Sequence, residues 1–594
     1  MKKIILLFIL LLSAVAFPQN NEQLAQNYFD KGEFEKALLT YQELSKAQPG
    51  AQHYFIRIVE SYQQLERYQD AEREIQARLA KNDQAYLLVE LGYNFQLQKN
   101  QNKADSYYKQ AIERVVQNPT DVYYVAPAFE RRVLVNFALE AYQIAHKADP
   151  KRFSFNYQMA LLHGQLGNVD KMISTFLDEA YANQNNLVII QNQLSRFMGE
   201  EGADSFNDSL RKSLLVRTQK TQDIFWNQFL SWYFVQQKEY GKAFIQEKAI
   251  YKRNPETFFN IINLAHLSIE EDEIETAKEI LQFVLANTSE PDILITAHYY
   301  LAEIRVEDPL EKNQQELNNY LTNLIAEFGK GPNTLNLQTL QAQFLAFNMN
   351  KPTEAKEILQ SALALPLSKF QMAEVKMQLA DILLLEEKFN QALIYYSQIE
   401  EDLKNDVIGH EASLQAAKTS YYKADFDWAQ KQFKELKTAS SQLIANDALE
   451  YFLLLNDNKA EDSLQVALKK FARADYFLYQ NKTDQALEAF KSILAQHKGE
   501  KIEDITLLRI GRIYERKGDF ATALTFYDQI VRNFADGIYI DEALFYSAEI
   551  YNTKLPDSVK AKERYEKILF NHQDSIHFID SRRKFRELRG DNAS

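Results

Sequence analysis

Short apolar stripes recur along this chain at helical spacing. In the first stretch Leu24, Ala25 and Tyr28 share one helix face, and Gly32 interrupts it. Phe34, Ala37, Tyr41 and Leu44 then form a second stripe at steps of three to four residues, and Pro49 closes the unit. This predicts two amphipathic helices joined by a tight turn. Small Ala25 and Ala37 let the helices approach, while Tyr28, Phe34 and Tyr41 fill the space around them. The pattern returns as Val59, Tyr62, Tyr68, Ala71 and Ile75, then as Gly92, Phe95, Ala104, Tyr108 and Ala111. Its most regular mark is the alanine. Ala37 to Ala71 is 34 residues, Ala71 to Ala104 is 33, and Ala104 to Ala138 and Ala243 to Ala277 are 34 each. Ala355 to Ala392, Ala392 to Ala429 and Ala486 to Ala523 are 37, and Ala523 to Ala561 is 38. A fixed period of this size predicts an all-α stack of helix pairs, each packed only on its neighbours.

The breaks in the period suggest the organisation. Eight units run to Ala277, with Met172 in the alanine slot of one of them and a loop around Gly199 and Gly202 in another. A turn is lengthened at Asp308-Pro309, and Phe328-Gly329-Lys330-Gly331-Pro332-Asn333 reads as a loop between two arrays. Ala429 to Ala486 is 57 residues, about one and a half periods. Residues 441–455 read as one helix and 459–480 as a longer one, so a kink is expected near Asp457-Asn458. The expected segments are therefore 21–328, 334–456, 457–580 and a basic capping helix with tail at 581–594, where Arg582, Arg583, Lys584, Arg586 and Arg589 gather.

The order of small residue, aromatic, glycine, aromatic, alanine, aromatic and proline resembles the tetratricopeptide repeat over roughly residues 20–570. The resemblance implies a right-handed superhelix of antiparallel helix pairs. Its first helices would line a concave groove that binds peptides or protein domains, without a cofactor or chemistry of its own. The Arg586–Gly590 ending is also similar to exported repeat proteins of outer-membrane assembly and periplasmic scaffolding.

Composition narrows the setting. The net charge is −14, which argues against a general nucleic-acid binder. There is no cysteine, so disulfides, thiolate metal sites and a lipid-modified cleavage cysteine are excluded. Lys2-Lys3, the apolar run Ile4–Leu12 and Ala14-Val15-Ala16 read as a secretory signal over residues 1–16, extending to about 20. The run is short of the ~20 apolar residues that span a bilayer. A periplasmic protein follows, without a transmembrane segment in its mature form.

No catalytic constellation stands out: there is no Gly-x-Ser-x-Gly, phosphate-cradling glycine loop or His-Glu-x-x-His. His572, Asp574 and His577 could meet at a helix end, but five residues do not place both histidines on one face. Function is therefore expected in the groove. Mapping the family's groove positions onto this sequence selects Arg509, Arg512, Arg516, Phe545 and Glu549 near the C-terminus, with Leu508, Glu515 and Asn552. Near the N-terminus it selects Tyr86 and Tyr93, with Arg57, Glu60, Val89 and Gln96. Arg509, Arg512 and Arg516 share one face and suggest an acidic peptide. The family's carboxylate clamp needs Lys and Asn where this chain has Glu22, Gln26, Ile56 and Glu60, so a gripped chain terminus is not expected. The leading expectation is a non-enzymatic scaffold for envelope proteins. Alternatives are a structural subunit of an outer-membrane assembly or secretion complex, and a peptidoglycan-associated factor whose groove tyrosines stack on sugars.

Overall fold

A computed structural model describes residues 21–199, 203–221, 223–308, 313–439, 441–459 and 465–590. The expected signal segment lies outside the described residues. Among the described residues every regular element is helical, and successive helices pack as antiparallel pairs. The fold class is thus all-α, built from stacked helix pairs.

All twelve alanines that mark the period are 0 % exposed, which fixes them as the contact points of the stack. One turn after the alanine, six of these units carry tyrosine. In each, the hydroxyl donates to a side-chain oxygen on the preceding helix. Tyr41 donates to Gln26 (3.0 Å), Tyr108 to Gln96 (2.8 Å) and Tyr527 to Glu515 (2.7 Å). Tyr142, Tyr396 and Tyr565 do the same to Glu130, Asp381 and Glu549. Sixteen residues before five of the six tyrosines stands a small partner: Ala25, Gly92, Ala126, Ala380 and Gly511. A Cβ on Gly92 would lie 2.3 Å from the Tyr108 ring, and one on Gly511 2.4 Å from the Tyr527 ring. The aromatic ring therefore fills the gap between helices while its hydroxyl locks them in register. Where Glu247 replaces the tyrosine, the polarity reverses, and Ser231 donates to it at 2.6 Å.

The turn inside each pair is equally regular. Five residues before eleven of the twelve alanines the backbone is left-handed, as at Gly32, Glu66, Lys99, Val133 and Gly518. The next amide then reaches back to a carbonyl five residues earlier, for example Arg67 to Tyr62 and Leu134 to Phe129, closing the first helix. Val133 is a strained choice: it is β-branched, has φ 57° and is 78 % exposed, so it gains no packing in return. Val133→Gly is expected to stabilise its unit by about 0.5–1 kcal/mol, since relief of left-handed strain exceeds the entropy that glycine adds to the unfolded chain. A urea midpoint unchanged or lowered in the variant would contradict this.

The longer C-terminal period comes from longer first helices. Gln52–Gln64, Tyr86–Leu97 and Val122–Arg131 have 13, 12 and 10 residues, whereas Lys369–Leu385, Val407–Tyr422 and Ile502–Arg516 have 17, 16 and 15. The single 38-residue interval contains a π-helical turn at Ile550–Lys554, which takes up the extra residue.

Contacts divide the chain into two compact units, Met1–Trp226 and Asn227–Ser594. The division falls within the helix Ile224–Gln236. At 328–334, where a joint is expected, Thr334 Oγ1 donates to the Gly329 carbonyl at 2.6 Å and Gln338 to that of Gly331 at 3.2 Å. The skipped interval contains the extra helix Gln442–Asn458. The expected single helix over 459–480 begins at Val466 instead, after residues 460–464, which lie outside the described set. That helix docks back on an earlier turn. Tyr476 and Tyr479 donate to the Leu384 and Asp381 carbonyls at 2.6 and 2.9 Å, and Arg473 pairs with Glu387 at 2.9 Å.

Candidate functional site

In the first unit, the first helices of successive pairs line two adjoining hollows. One, of about 780 Å³, is bordered by Glu22, Gln26, Asp30, Tyr41, His53 and Arg57. The next, of about 630 Å³, is bordered by Ile56, Arg57, Glu60, Tyr123, Tyr124 and Arg131. His53 and Arg57 line both, so the two form one groove.

Its wall is held from behind by a buried ion network. Arg132, with 7 % of its side chain exposed, pairs with fully buried Glu90 at 2.5 Å and with Glu60 at 3.1 Å. Burial works against the guanidinium charge, but Glu90 and Glu60 outweigh it and raise the Arg132 pKa. Glu60 also accepts from Arg57 at 2.9 Å, and Glu90 from Arg131 at 3.3 Å. Two carboxylates thus fix three arginines, and two of the heads, Arg57 and Arg131, remain about one-third exposed to the groove. Tyr123 and Tyr124 stand beside them, each at least half exposed. A surface of mixed charge with two exposed tyrosines, its arginine heads already held, can take a peptide at low entropic cost.

The residues selected from sequence fall in different places. Tyr86 does not line the groove. It is 1 % exposed, and burial raises the pKa of its hydroxyl. Tyr93 is half-buried beneath the Arg132 guanidinium, 4.6 Å from ring centre to charge. Near the C-terminus, Arg509 is spent internally: it reaches Glu450 of the extra helix at 2.7 Å and buried Asp475 at 3.3 Å. Arg512 pairs with Glu515 at 2.8 Å and stacks on Tyr546 at 3.9 Å. Phe545 is stacked face to face on His577 at 4.1 Å, and burial holds that imidazole below its usual pKa. Glu549 accepts from Tyr565 and pairs with Lys584 at 2.5 Å, tying down the helix Phe578–Arg589. Of the stripe only Arg516 is exposed. The three arginines therefore do not form a free positive surface, and substituting Arg509 would test folding rather than binding.

Sequence reasoning missed His53, Tyr123, Tyr124 and Arg131. Tyr123 and Tyr124 follow a short 3-10 turn, Pro119–Asp121, in a unit whose first helix has only ten residues, which displaces the expected phase. The pair of adjacent exposed tyrosines was the available signal.

Among the described residues no cluster of three metal-ligating side chains has the geometry to hold an ion, and no helix is long and apolar enough to cross a membrane. No curated protein matches the chain. Among solved structures, a chain in the structure of Naa15/Naa10 bound to HypK-THB is 11 % identical, with 96 % of each chain covered and a TM-score of 0.27. The crystal structure of yeast Tom70 is 14 % identical over 84 % of this chain and 99 % of that one, with a TM-score of 0.30. The tetratricopeptide repeat family profile matches residues 471–538, which span the helices Thr483–Gln496, Ile502–Arg516 and Phe520–Asn533. Residues 471–538 are thus similar to a tetratricopeptide repeat, and the buried alanine and left-handed turn that mark them recur in other helix pairs of the chain.

Proposed function

We propose that this protein is a non-enzymatic scaffold of a bacterial cell envelope, exported to the periplasm, that grips a segment of a partner protein in the groove of its first unit. The observation that carries the reading is the preformed wall of Arg57 and Arg131 heads fixed by buried carboxylates, with two exposed tyrosines beside them. Arginine and tyrosine are the side chains that most often dominate binding energy at such surfaces, because each buries much area while keeping a polar end. Export is supported by the charged, apolar and small-residue succession at the N-terminus.

Crosslinking in intact cells, followed by mass spectrometry of trapped proteins, tests the reading. Arg57→Ala with Tyr124→Ala, both on the groove face, is expected to reduce capture of the principal partner at least tenfold while leaving the circular dichroism spectrum unchanged. Equal capture by the variant would remove the groove from the proposal. Recovery of the chain solely from the cytoplasmic fraction, with residues 1–16 intact, would overturn the envelope assignment. Sedimentation with cell-wall sacculi in place of protein capture would favour a glycan ligand.

A further inference from the structure

The second unit carries a cavity of different character. It has a volume of about 580 Å³ and lies between the extra helix Gln442–Asn458, the segment Gly537–Glu542 and the loop His572–His577. Asp447, Glu450, Asp541, Glu542 and Asp574 border it, and no lysine or arginine does among the described residues. Two of these carboxylates have partners behind the wall: Asp447 pairs with Lys418 at 3.0 Å, and Glu450 shares Arg509 with Asp475. Asp541 is hydrogen-bonded to Glu542 and to Ser575, and burial, then Asp541, drives the Glu542 pKa up to about 9. Burial lowers the pKa of the nearby His577, although Asp541 and Asp580 pull the other way.

A second observation is independent of the charge. Tyr539 lies in the lining, is 5 % exposed, and its hydroxyl has no hydrogen-bond partner; neither does Glu542 Oε2. Burial and the surrounding Asp504, Glu450 and Glu542 keep this phenol protonated, although Arg509 pulls the other way. Its hydroxyl can both donate and accept, and neither capacity is met within the chain. Unmatched buried polar groups of this kind cost free energy until a partner arrives. The lip around them is aliphatic, with Ile538, Ile576 and Leu449 all more than one-third exposed.

We propose that this cavity receives a lysine or arginine side chain presented by a partner protein segment with aliphatic neighbours. The cation lies against Asp541 and Glu542 and donates to Tyr539 Oη, and the neighbouring residues rest on Ile538 and Ile576. The site lies in the second unit and is bordered by carboxylates without Lys or Arg, whereas the groove of the first unit carries both signs, so one chain can hold two unlike segments. The inference does not depend on what fills that groove.

The test uses the full mature chain and a fluorescein-labelled ten-residue peptide of alternating lysine and leucine, read by anisotropy at physiological salt. The wild type is expected to bind it, and the same peptide with its lysines acetylated is expected to fail. Asp541→Asn with Glu542→Gln should weaken binding at least tenfold, with an unchanged circular dichroism spectrum. Tyr539→Phe, which removes only the hydroxyl, should weaken it about threefold. Glu270→Gln with Asp272→Asn neutralises an exposed acidic turn elsewhere and should change nothing. Equal binding by the Asp541/Glu542 variant, equal loss in the Glu270/Asp272 variant, or binding that survives acetylation would each overturn the proposal.

Discussion

Glu90→Ala is expected to destabilise the first unit by about 3–5 kcal/mol, the cost of leaving a buried guanidinium without its main counter-charge. Arg132 sits at 7 % exposure with its Nε and Nη2 both directed at Glu90, at 3.0 and 2.5 Å. Removing that carboxylate leaves only Glu60, which touches a single nitrogen at 3.1 Å. Small domains are stable by only about 5–15 kcal/mol, so the loss should be visible as early urea unfolding and fast proteolysis within residues 21–226. Glu90→Gln keeps the shape and part of the hydrogen bonding and should cost about half as much. Glu60→Ala, at a site with 13 % of the side chain exposed, should cost less than Glu90→Ala because water can replace part of the interaction. A change below about 1 kcal/mol for Glu90→Ala would mean that Arg132 finds water or another partner, and the fixed groove wall would lose its basis. The same variant should loosen Arg131 and Arg57, so it should weaken partner capture before it unfolds the unit.

How far the sequence reached differs between the two helices of a pair. The second helices were legible because each is amphipathic and 0 %-exposed alanines recur on one face. The tyrosine ties were also within reach. A tyrosine one turn after the alanine and an acceptor 12 to 16 residues upstream recur in six units, from Gln26–Tyr41 to Glu549–Tyr565. The first helices were not legible in the same way. Tyr86–Leu97 buries nine of its twelve residues, including Glu90, because it is covered on nearly every side. A helix buried all round has no polar face from which to read its phase, so Tyr86 was assigned to a surface it does not reach. The fate of Arg509 was hidden for another reason. Its partner Glu450 stands 59 residues away on an extra helix that interrupts the period, and spacing along the chain carries no record of where such a helix docks.

The second large effect concerns pH. Glu542 has a folded pKa of about 9 against an ordinary 4.5, raised by burial and then by Asp541. A group whose pKa is raised on folding contributes stability that is fully present below its unfolded pKa and is lost as pH rises through the folded one. Stability of the second unit should therefore fall between about pH 4.5 and pH 9 through this residue. One pKa unit corresponds to about 1.4 kcal/mol, but Asp541 shares the titration, so a loss of about 2 kcal/mol by pH 8 is the working expectation. Glu542→Gln holds the neutral shape at every pH. It should match the wild type near pH 5, exceed it by about 2 kcal/mol at pH 8, and flatten the curve of urea midpoint against pH. Asp541→Asn should flatten it too, by removing the neighbouring charge that helps keep Glu542 protonated. Saturating the wild type with the lysine–leucine peptide should recover part of the loss at pH 8, because a bound cation compensates the carboxylate that burial otherwise penalises. Parallel pH curves for wild type and Glu542→Gln would show that this carboxyl is solvated, and the acidic cavity would then be an open, water-filled surface with no need of a cation.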